Sequence, residues 1–307
     1  MTGPLEDLAT IQEYDNEKGH PDALAFCVRS GGAGKTHAVL NLGIVLARRG
    51  FKVRMWDLDP QRGLSYILGY GEPARGQKTI FHVLLGKASL AEATVPARYR
   101  IAAGDTDKAF REIPNLYLVH GTKELSDAEV TLGAAPAGNL WLANLRDELP
   151  EDEGFIDLVD CGPTAGVLQA SIMLAFEHWV GCLNDEYKYI VGLMDVEKDI
   201  ETARRKFRRF GCVTEVKHIL VTSVYVSDDD IVNRQKSAIA DDAVRHVRDD
   251  PDWASKLLPI VRYEQKAKEV FFKQKPLRFH APMSPALDDF ERVADVLGYP
   301  RRAPQAA

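Results

Sequence analysis

The sequence predicts an α/β protein built on a mostly parallel, twisted sheet with helices on both faces. Three observations lead there. Short apolar runs alternate with helical patterns from residue 23 to residue 298, and that alternation implies parallel strands joined by right-handed crossovers. The first run, Ala23 to Val28, passes through the glycine turn Gly31-Gly-Ala-Gly34 into a helical stretch. Two later runs end in acidic residues, at Asp57 and Asp160. The carboxyl ends of strands are where open parallel sheets bind ligands.

The elements follow in order. Residues 1–22 are polar and acidic and read as a loose or partly helical arm. After the first strand and its turn, Thr36 to Arg48 is apolar nearly all round (Val39, Leu40, Leu42, Ile44, Val45, Leu46), which suits a helix buried against a sheet, and Gly50 stops it. Val53, Met55 and Trp56 form the second strand, with Asp57 and Asp59 at its end. Residues 62–100 read as helical pieces (Thr79 to Leu85, Ser89 to Ala93) joined by loops. Asn115 to Val119 is a strand, and Glu124 to Leu132 and Leu140 to Glu148 are helices. Phe155 to Val159 is a buried strand ending at Asp160, followed by the turn Gly162 to Gly166. Ala170 to His178 is a helix, Trp179 to Leu183 a strand, and Asp195 to Phe210 a longer helix. Lys217 to Thr222 is a strand, Asp228 to His246 a helix, and Leu257 to Val261 a strand. Gln265 to Phe272 is a short lysine-rich helix, and Pro285 to Leu297 closes the fold. This gives one domain over 23–298 and a short tail over 299–307.

Composition narrows the classes. The 307 residues are 45% hydrophobic and 27% charged, which suffices for a core without disulfide staples. A net charge of −6 does not attract nucleic acid, so any such contact must come from a local basic patch. Cys27, Cys161, Cys182 and Cys212 are scattered, show no zinc spacing, and fit reduced, buried residues of a cytoplasmic protein. The N-terminus lacks the pattern of a signal peptide, and no apolar run reaches membrane-spanning length. The tail is too short and proline-broken for an amphipathic anchor, so no membrane contact is expected.

The glycine turn carries the chemistry. Strand, Gly31-Gly-Ala-Gly34, Lys35-Thr36 and helix together form a phosphate cradle. Glycines let backbone N–H groups face an anion without Cβ clashes, and the helix N-terminus adds positive charge. Lys35 would reach the β and γ phosphates and Thr36 would hold Mg²⁺. Asp57 and Asp59 stand at the end of the second strand, where a carboxylate can hold a metal-bound water or orient an attacking one. Asp160, on an apolar strand, has the Walker B pattern for a carboxylate that binds Mg²⁺ through water. Farther on, Arg204, Arg205, Arg208 and Arg209, with Lys206 at their edge, fall on one helical face opposite Ile200, Ala203, Phe207 and Phe210. They form a basic stripe on an acidic protein, either a solvated face or a contact for nucleic acid or an acidic partner.

Taken together these motifs resemble the ParA/MinD group of deviant Walker A P-loop ATPases, most of all the ParA partition ATPases. The loop K-G-G-x-G-K-[ST] is met by Ser30-Gly-Gly-Ala-Gly-Lys-Thr36, and D-x-D-P-Q by Asp57-Leu-Asp-Pro-Gln61. Asn115-Leu-Tyr-Leu-Val-His120, with Leu125 and Glu129, resembles N-L-x-L-x-P…L…E, and Asp160-Cys-Gly-Pro-Thr164 resembles D-C-P-P-S. Ile260-Val-Arg262, Ala267 and Lys275-Pro276 loosely match the closing motif. The resemblance implies ATP and Mg²⁺ bound between the subunits of an ATP-dependent homodimer. Gly31, Gly32, Ala33, Gly34, Lys35, Thr36 and His37 would hold the nucleotide, with Arg262 near the adenine. Lys35 and Asp59 would be catalytic, and Thr36, Asp57 and Asp160 would serve the metal. It further implies non-specific DNA binding, a ParB-type centromere-binding partner that stimulates hydrolysis, and a nucleoid-associated location in the cytoplasm.

The chain departs from the pattern at one position. The group's signature lysine, which reaches across the dimer to the partner's phosphates, is Ser30 here. Serine supplies no cation, and charge stabilisation of the transferred phosphoryl group is most of the catalysis in this chemistry. Arg29 lies next door and is the candidate substitute cation, although adjacent positions in a tight loop point differently. The expectation is intact ATP binding through Lys35 with slow or partner-dependent hydrolysis. The alternative is a nucleotide-dependent positioning or scaffold protein of the same group with little or no turnover.

Overall fold

The computed structural model describes residues 19–103, 107–135, 137–149, 154–163, 165–224 and 244–301. Seven strands form one sheet: β1 (Ala23–Cys27), β2 (Lys52–Leu58), β3 (Thr94–Arg100), β4 (Phe110–Val119), β5 (Phe155–Cys161), β6 (His178–Leu183) and β7 (Glu215–Val221). Their order is β3-β4-β2-β5-β1-β6-β7. Every pairing is parallel except β3 with β4. The central strand β1 is buried at every residue, as a strand covered on both faces must be, and this is why it reads as an unbroken apolar run.

Right-handed crossovers settle the layers. From β1 the chain moves to β2 through α1 (Lys35–Arg48), in one direction along the sheet. From β4 to β5, β5 to β6 and β6 to β7 it moves the opposite way, through α5 (Leu125–Ala134) with α6 (Trp141–Asp147), then α7 (Val167–Ala175), then α8 (Tyr187–Lys206). Connections of one hand running in opposite directions lie on opposite faces. The carboxyl ends of β1 and β5 sit side by side, with Phe26 in register with Asp160, and from there α1 and α7 leave to opposite faces. That is a topological switch point, the place where such sheets hold ligands. Three short helices, α2 (Gly63–Ile67), α3 (Ile80–Leu84) and α4 (Leu90–Ala93), fill the connection between β2 and β3.

Several boundaries differ from expectation. The stretch 62–100 ends in a strand, β3, and β4 begins at Phe110 rather than Asn115. Pro96 and the arginines of β3 read as loop. The strand is tolerated because it is an antiparallel edge, where proline needs no ladder N–H. α7 begins at Val167 and ends at Ala175, before the expected Ala170 to His178, because Phe176 turns extended and His178 starts β6. α8 begins at Tyr187 instead of Asp195. Gly192 lowers helix propensity there, yet it lets α8 lie close: a Cβ on Gly192 would stand 3.1 Å from Val28 Cγ2. The expected strand Leu257 to Val261 is reduced to isolated bridges, Ile219 with Leu257 and Val224 with Arg262. The lysine-rich helix becomes a 3₁₀ turn, Gln265–Lys268, followed by the short helix Glu269–Lys273. Most of the expected helix Asp228 to His246, most of the N-terminal arm and most of the tail lie outside the described residues.

The folded body extends past 23–298 at both ends. His20 stacks on Tyr299 at 4.7 Å and meets Phe51 edge-on at 5.2 Å. Arg49 donates to the Tyr299 carbonyl and pairs with Glu291 on the closing helix, Pro285–Val296. On β2, Arg54 is 2% exposed and pairs with Asp157 of β5 at 2.7 Å, and Trp56 Nε1 donates to the same carboxylate.

Candidate functional site

The loop between β1 and α1 has the backbone of an anion cradle. Gly32 and Gly34 have φ of 92° and 84°, the left-handed region that side chains resist. Space is short as well: a Cβ would stand 2.9 Å from the Tyr189 hydroxyl at Gly32 and 2.7 Å from Thr222 Oγ1 at Gly34. Gly34 is the N-cap of α1, no side chain caps it, and the first turn holds no acidic residue. The leading N–H groups of α1 and its positive end therefore remain available to an anion. The start of α8 and the residue after β6 brace the loop: Tyr189 donates to the Gly31 carbonyl at 3.1 Å and Asn184 donates to that of Gly32 at 3.3 Å. Lys35 is 6% exposed and folds back over the loop, its Nζ donating to the Ser30 carbonyl at 3.1 Å.

Beneath the loop stand the strand-end carboxylates. Thr36 Oγ1 donates to Asp160 Oδ2 at 2.7 Å. Asp160 is in register with Asp57 across β5 and β2. Burial, with the neighbouring Asp57 charge, pushes the Asp160 carboxyl up to about 8. Burial pushes Asp57 up to about 6, opposed by hydrogen bonds from Ser65. Oδ1 of each aspartate is buried without a hydrogen-bond partner. Asp59 lines the cleft, and its Oδ1 accepts from Gln61 N at 2.8 Å. Neither Asp57 nor Asp160 lines the cleft; they differ in partners, Asp160 meeting Thr36 and Asp57 meeting Ser65. Asp57 Oδ2 accepts from Ser65 N at 2.7 Å and Ser65 Oγ at 2.6 Å, and that hydroxyl accepts from Gly121 N. Asp57 thus holds the segment after Asp59 in place from below.

From the loop a cleft of about 300 Å³ runs along α1. Its far wall is made by Val261, Tyr263, Ala267, Leu277, Ala286 and Phe290. Arg262 also lines it, but its guanidinium donates to both Asp289 oxygens and to the Pro285 carbonyl, so it is held on the closing helix. His37 lines the cleft with Nδ1 unpartnered, and burial lowers its pKa, which keeps the ring neutral. Asn41, Thr222 and Ser223 also line it, and no sequence motif marks them. Asn41 does stand out as the polar residue in the apolar run of α1, but Thr222 and Ser223 gave no local signal.

The family is decided by the match of residues 22–210 to the AAA domain family designated AAA_31, together with this loop. The chain is a ParA/MinD-type P-loop ATPase family member. It is similar to the chromosome partitioning protein ParA of Caulobacter vibrioides, at 30% identity over 182 residues, covering 59% of this chain and 62% of that protein. The match therefore spans less than two thirds of that relative. Among solved structures it is similar to a Cyanothece McdA variant in complex with ATP, with TM-score 0.70 and 19% identity over 94% of this chain and 99% of that one. The Pyrococcus furiosus cell division ATPase MinD gives TM-score 0.61 and 21% identity over 90% and 98%. At those identities the two structures speak to the fold.

The residues fit a magnesium–nucleotide ligand. Gly32 and Gly34, where a Cβ would run into Tyr189 and Thr222, keep the loop in its tight left-handed turn, with the uncapped start of α1 turned to an anion. The orphaned Asp160 oxygen beside the Thr36 hydroxyl suits a hard divalent cation. Among the described residues no three His, Cys, Asp or Glu side chains converge on a metal, so water and phosphate oxygens would complete its shell.

Positions 29 and 30 differ in character. Ser30 is half-buried, and Arg29 turns its guanidinium onto Asp199 of α8. Arg29 is thus committed away from the cradle. The basic residues are elsewhere again. Arg204, Arg205 and Lys206 form the last turn of α8, while Arg208 and Arg209 lie in a separate 3₁₀ turn, Arg208–Phe210. The expected single helical face is broken at Phe207, and Phe210 is 62% exposed rather than packed with Ile200 and Ala203. All four arginines are exposed. At 1.5 Å per residue, Arg204 lies about 22 Å along α8 from Tyr189.

Proposed function

We propose that this chain is a partition-type ATPase that binds Mg·ATP, pairs with a second copy, and in that state binds DNA non-specifically to move or position a cargo with a ParB-type partner. The observation that carries the reading is the open glycine cradle at the N-terminus of α1, with Thr36 and Asp160 paired beneath it. The similarity to ParA and MinD proteins supports it. Bound magnesium would neutralise phosphate charge that develops during transfer. Lys35 leaves the Ser30 carbonyl for the β and γ phosphates, and the α1 N–H groups fix their position. Thr36 and Asp160 would hold the metal on its protein side, Asp160 as a carboxylate. Asp59, at the mouth of the cleft, orients water, while Asp57 keeps the segment behind it in register. Arg204, Arg205, Arg208 and Arg209 form the DNA-contacting surface, in the nucleoid.

One observation favours a second reading, that of a positioning protein with little turnover. The cation missing at Ser30 is not replaced by Arg29, which Asp199 holds. ATP then acts mainly as a dimerising ligand. The test is DNA binding with and without ATP, in wild type and in a variant with all four arginines changed to alanine. The variant should lose DNA binding while still binding ATP, and the wild-type affinity should fall steeply with salt as phosphate contacts release counterions. Equal DNA affinity in the two proteins would remove the arginines from this role.

A further inference from the structure

We propose that Asn41 reads the 6-amino group of a bound purine nucleotide and makes the cleft selective for adenine over 6-oxopurines. The proposal rests on the nucleotide-binding reading above and adds to it the residue that selects the base.

Asn41 is 3% exposed and lines the cleft. Its Nδ2 donates to the His37 carbonyl at 2.8 Å, while Oδ1 has no partner. The amide cannot be turned over, because that would set its oxygen against the carbonyl oxygen of His37. The side chain is therefore fixed as an acceptor awaiting a donor. A buried polar group left in that state is costly unless a ligand satisfies it.

Position along α1 points to the base as the source of the donor. Asn41 lies six residues beyond Lys35, which at 1.5 Å per residue is about 9 Å along the axis. A nucleotide with its phosphates in the loop and its base toward the far wall brings the base level with Asn41. That wall carries the apolar side chains of Val261, Leu277, Ala286 and Phe290, which suit the face of a purine. Adenine presents an amino donor at position 6. Guanine and hypoxanthine present a carbonyl there, which would face the Asn41 oxygen as a second acceptor. Arg262, the residue expected beside the base, has its guanidinium occupied by Asp289 and leaves this selection to Asn41.

The experiment is equilibrium binding, with magnesium, of ATP, inosine triphosphate and purine riboside triphosphate, which lacks the 6-amino group. Wild type should bind ATP about ten- to a hundredfold more tightly than either analogue. Asn41→Ala should bind all three within about threefold of one another, its fold checked by thermal melting. Should that variant fail to fold, the wild-type comparison of ATP with purine riboside triphosphate still decides. Equal wild-type binding of the three nucleotides, or a preference for ATP that survives in Asn41→Ala, overturns the proposal. Wild type that binds no nucleotide at all overturns the nucleotide site itself, a distinct outcome.

Discussion

Replacing Ser30 with lysine restores a cation at the one loop position where this chain departs from the pattern it otherwise keeps. Ser30 is half-buried in the loop immediately before the cleft-lining Gly31, so the site is not part of the closed core. Its own carbonyl already accepts from Lys35, and the substitution leaves that bond intact. Arg29 cannot already be serving, since its guanidinium is bound to Asp199. One added donor aimed at developing charge is worth about 10²–10³ in rate, and a cation supplied across an interface up to about 10⁵. Ser30→Lys should therefore raise the ATPase turnover by at least about 10², with DNA present and dimer formation followed in the same samples. Arg29→Ala should leave turnover unchanged. An unchanged rate in Ser30→Lys would refute the reasoning. So would a rapid wild-type ATPase, or a large loss in Arg29→Ala, which would show that Arg29 leaves Asp199 for the phosphates.

Two other outcomes follow from the packing. Asp157→Ala leaves Arg54 buried between β2 and β5 without its carboxylate, and should lower the unfolding free energy by about 3–5 kcal/mol in chemical denaturation. An effect under about 1 kcal/mol would mean the pair is not the support it looks to be. His218 is fully buried, and burial lowers its pKa to about 3, against about 6.5 for an unfolded histidine. The unfolded chain takes up that proton below about pH 6.5 and the folded chain does not, so this histidine's support of the fold is present above that pH and falls as pH drops toward 3. Relative to His218→Phe, wild type should lose about 2 kcal/mol between pH 7 and pH 5. Taking the difference cancels the opposite contributions of Asp57 and Asp160, whose raised pKa values favour the folded state at low pH. A flat difference curve would place His218 in a solvated or protonated setting.

What could be read from sequence was what is local. The phosphate loop, α1 and the Asp160 strand end are each encoded within a few residues: glycines where φ is positive, an apolar run, an aspartate at its end. Pro96, Arg98 and Arg100 disguise the edge strand β3 in the sequence, and it is held by pairing with β4 and by arginines over an aromatic ring (Arg98 on Phe110 at 4.5 Å, Arg100 on the same ring at 4.7 Å). The basic stripe reads as one helical face in the sequence, yet the helix ends at Lys206, and Gly211, with φ of 73°, follows the 3₁₀ turn. The tie between Arg29 and Asp199 spans 170 positions, so no window of sequence could reveal that the candidate substitute cation is already engaged. Asp57 and Asp59 look equivalent in the sequence. Only packing shows that Asp57 faces inward to Ser65 while Asp59 lines the cleft.

The central claim is that the loop at the N-terminus of α1 holds Mg·ATP, and direct binding of ATP with magnesium to wild type and to Lys35→Ala tests it most directly. Removing a charge-assisted phosphate contact should weaken binding by about ten- to a hundredfold with the melting temperature of the free protein little changed. Equal ATP affinity in the two proteins would contradict the account.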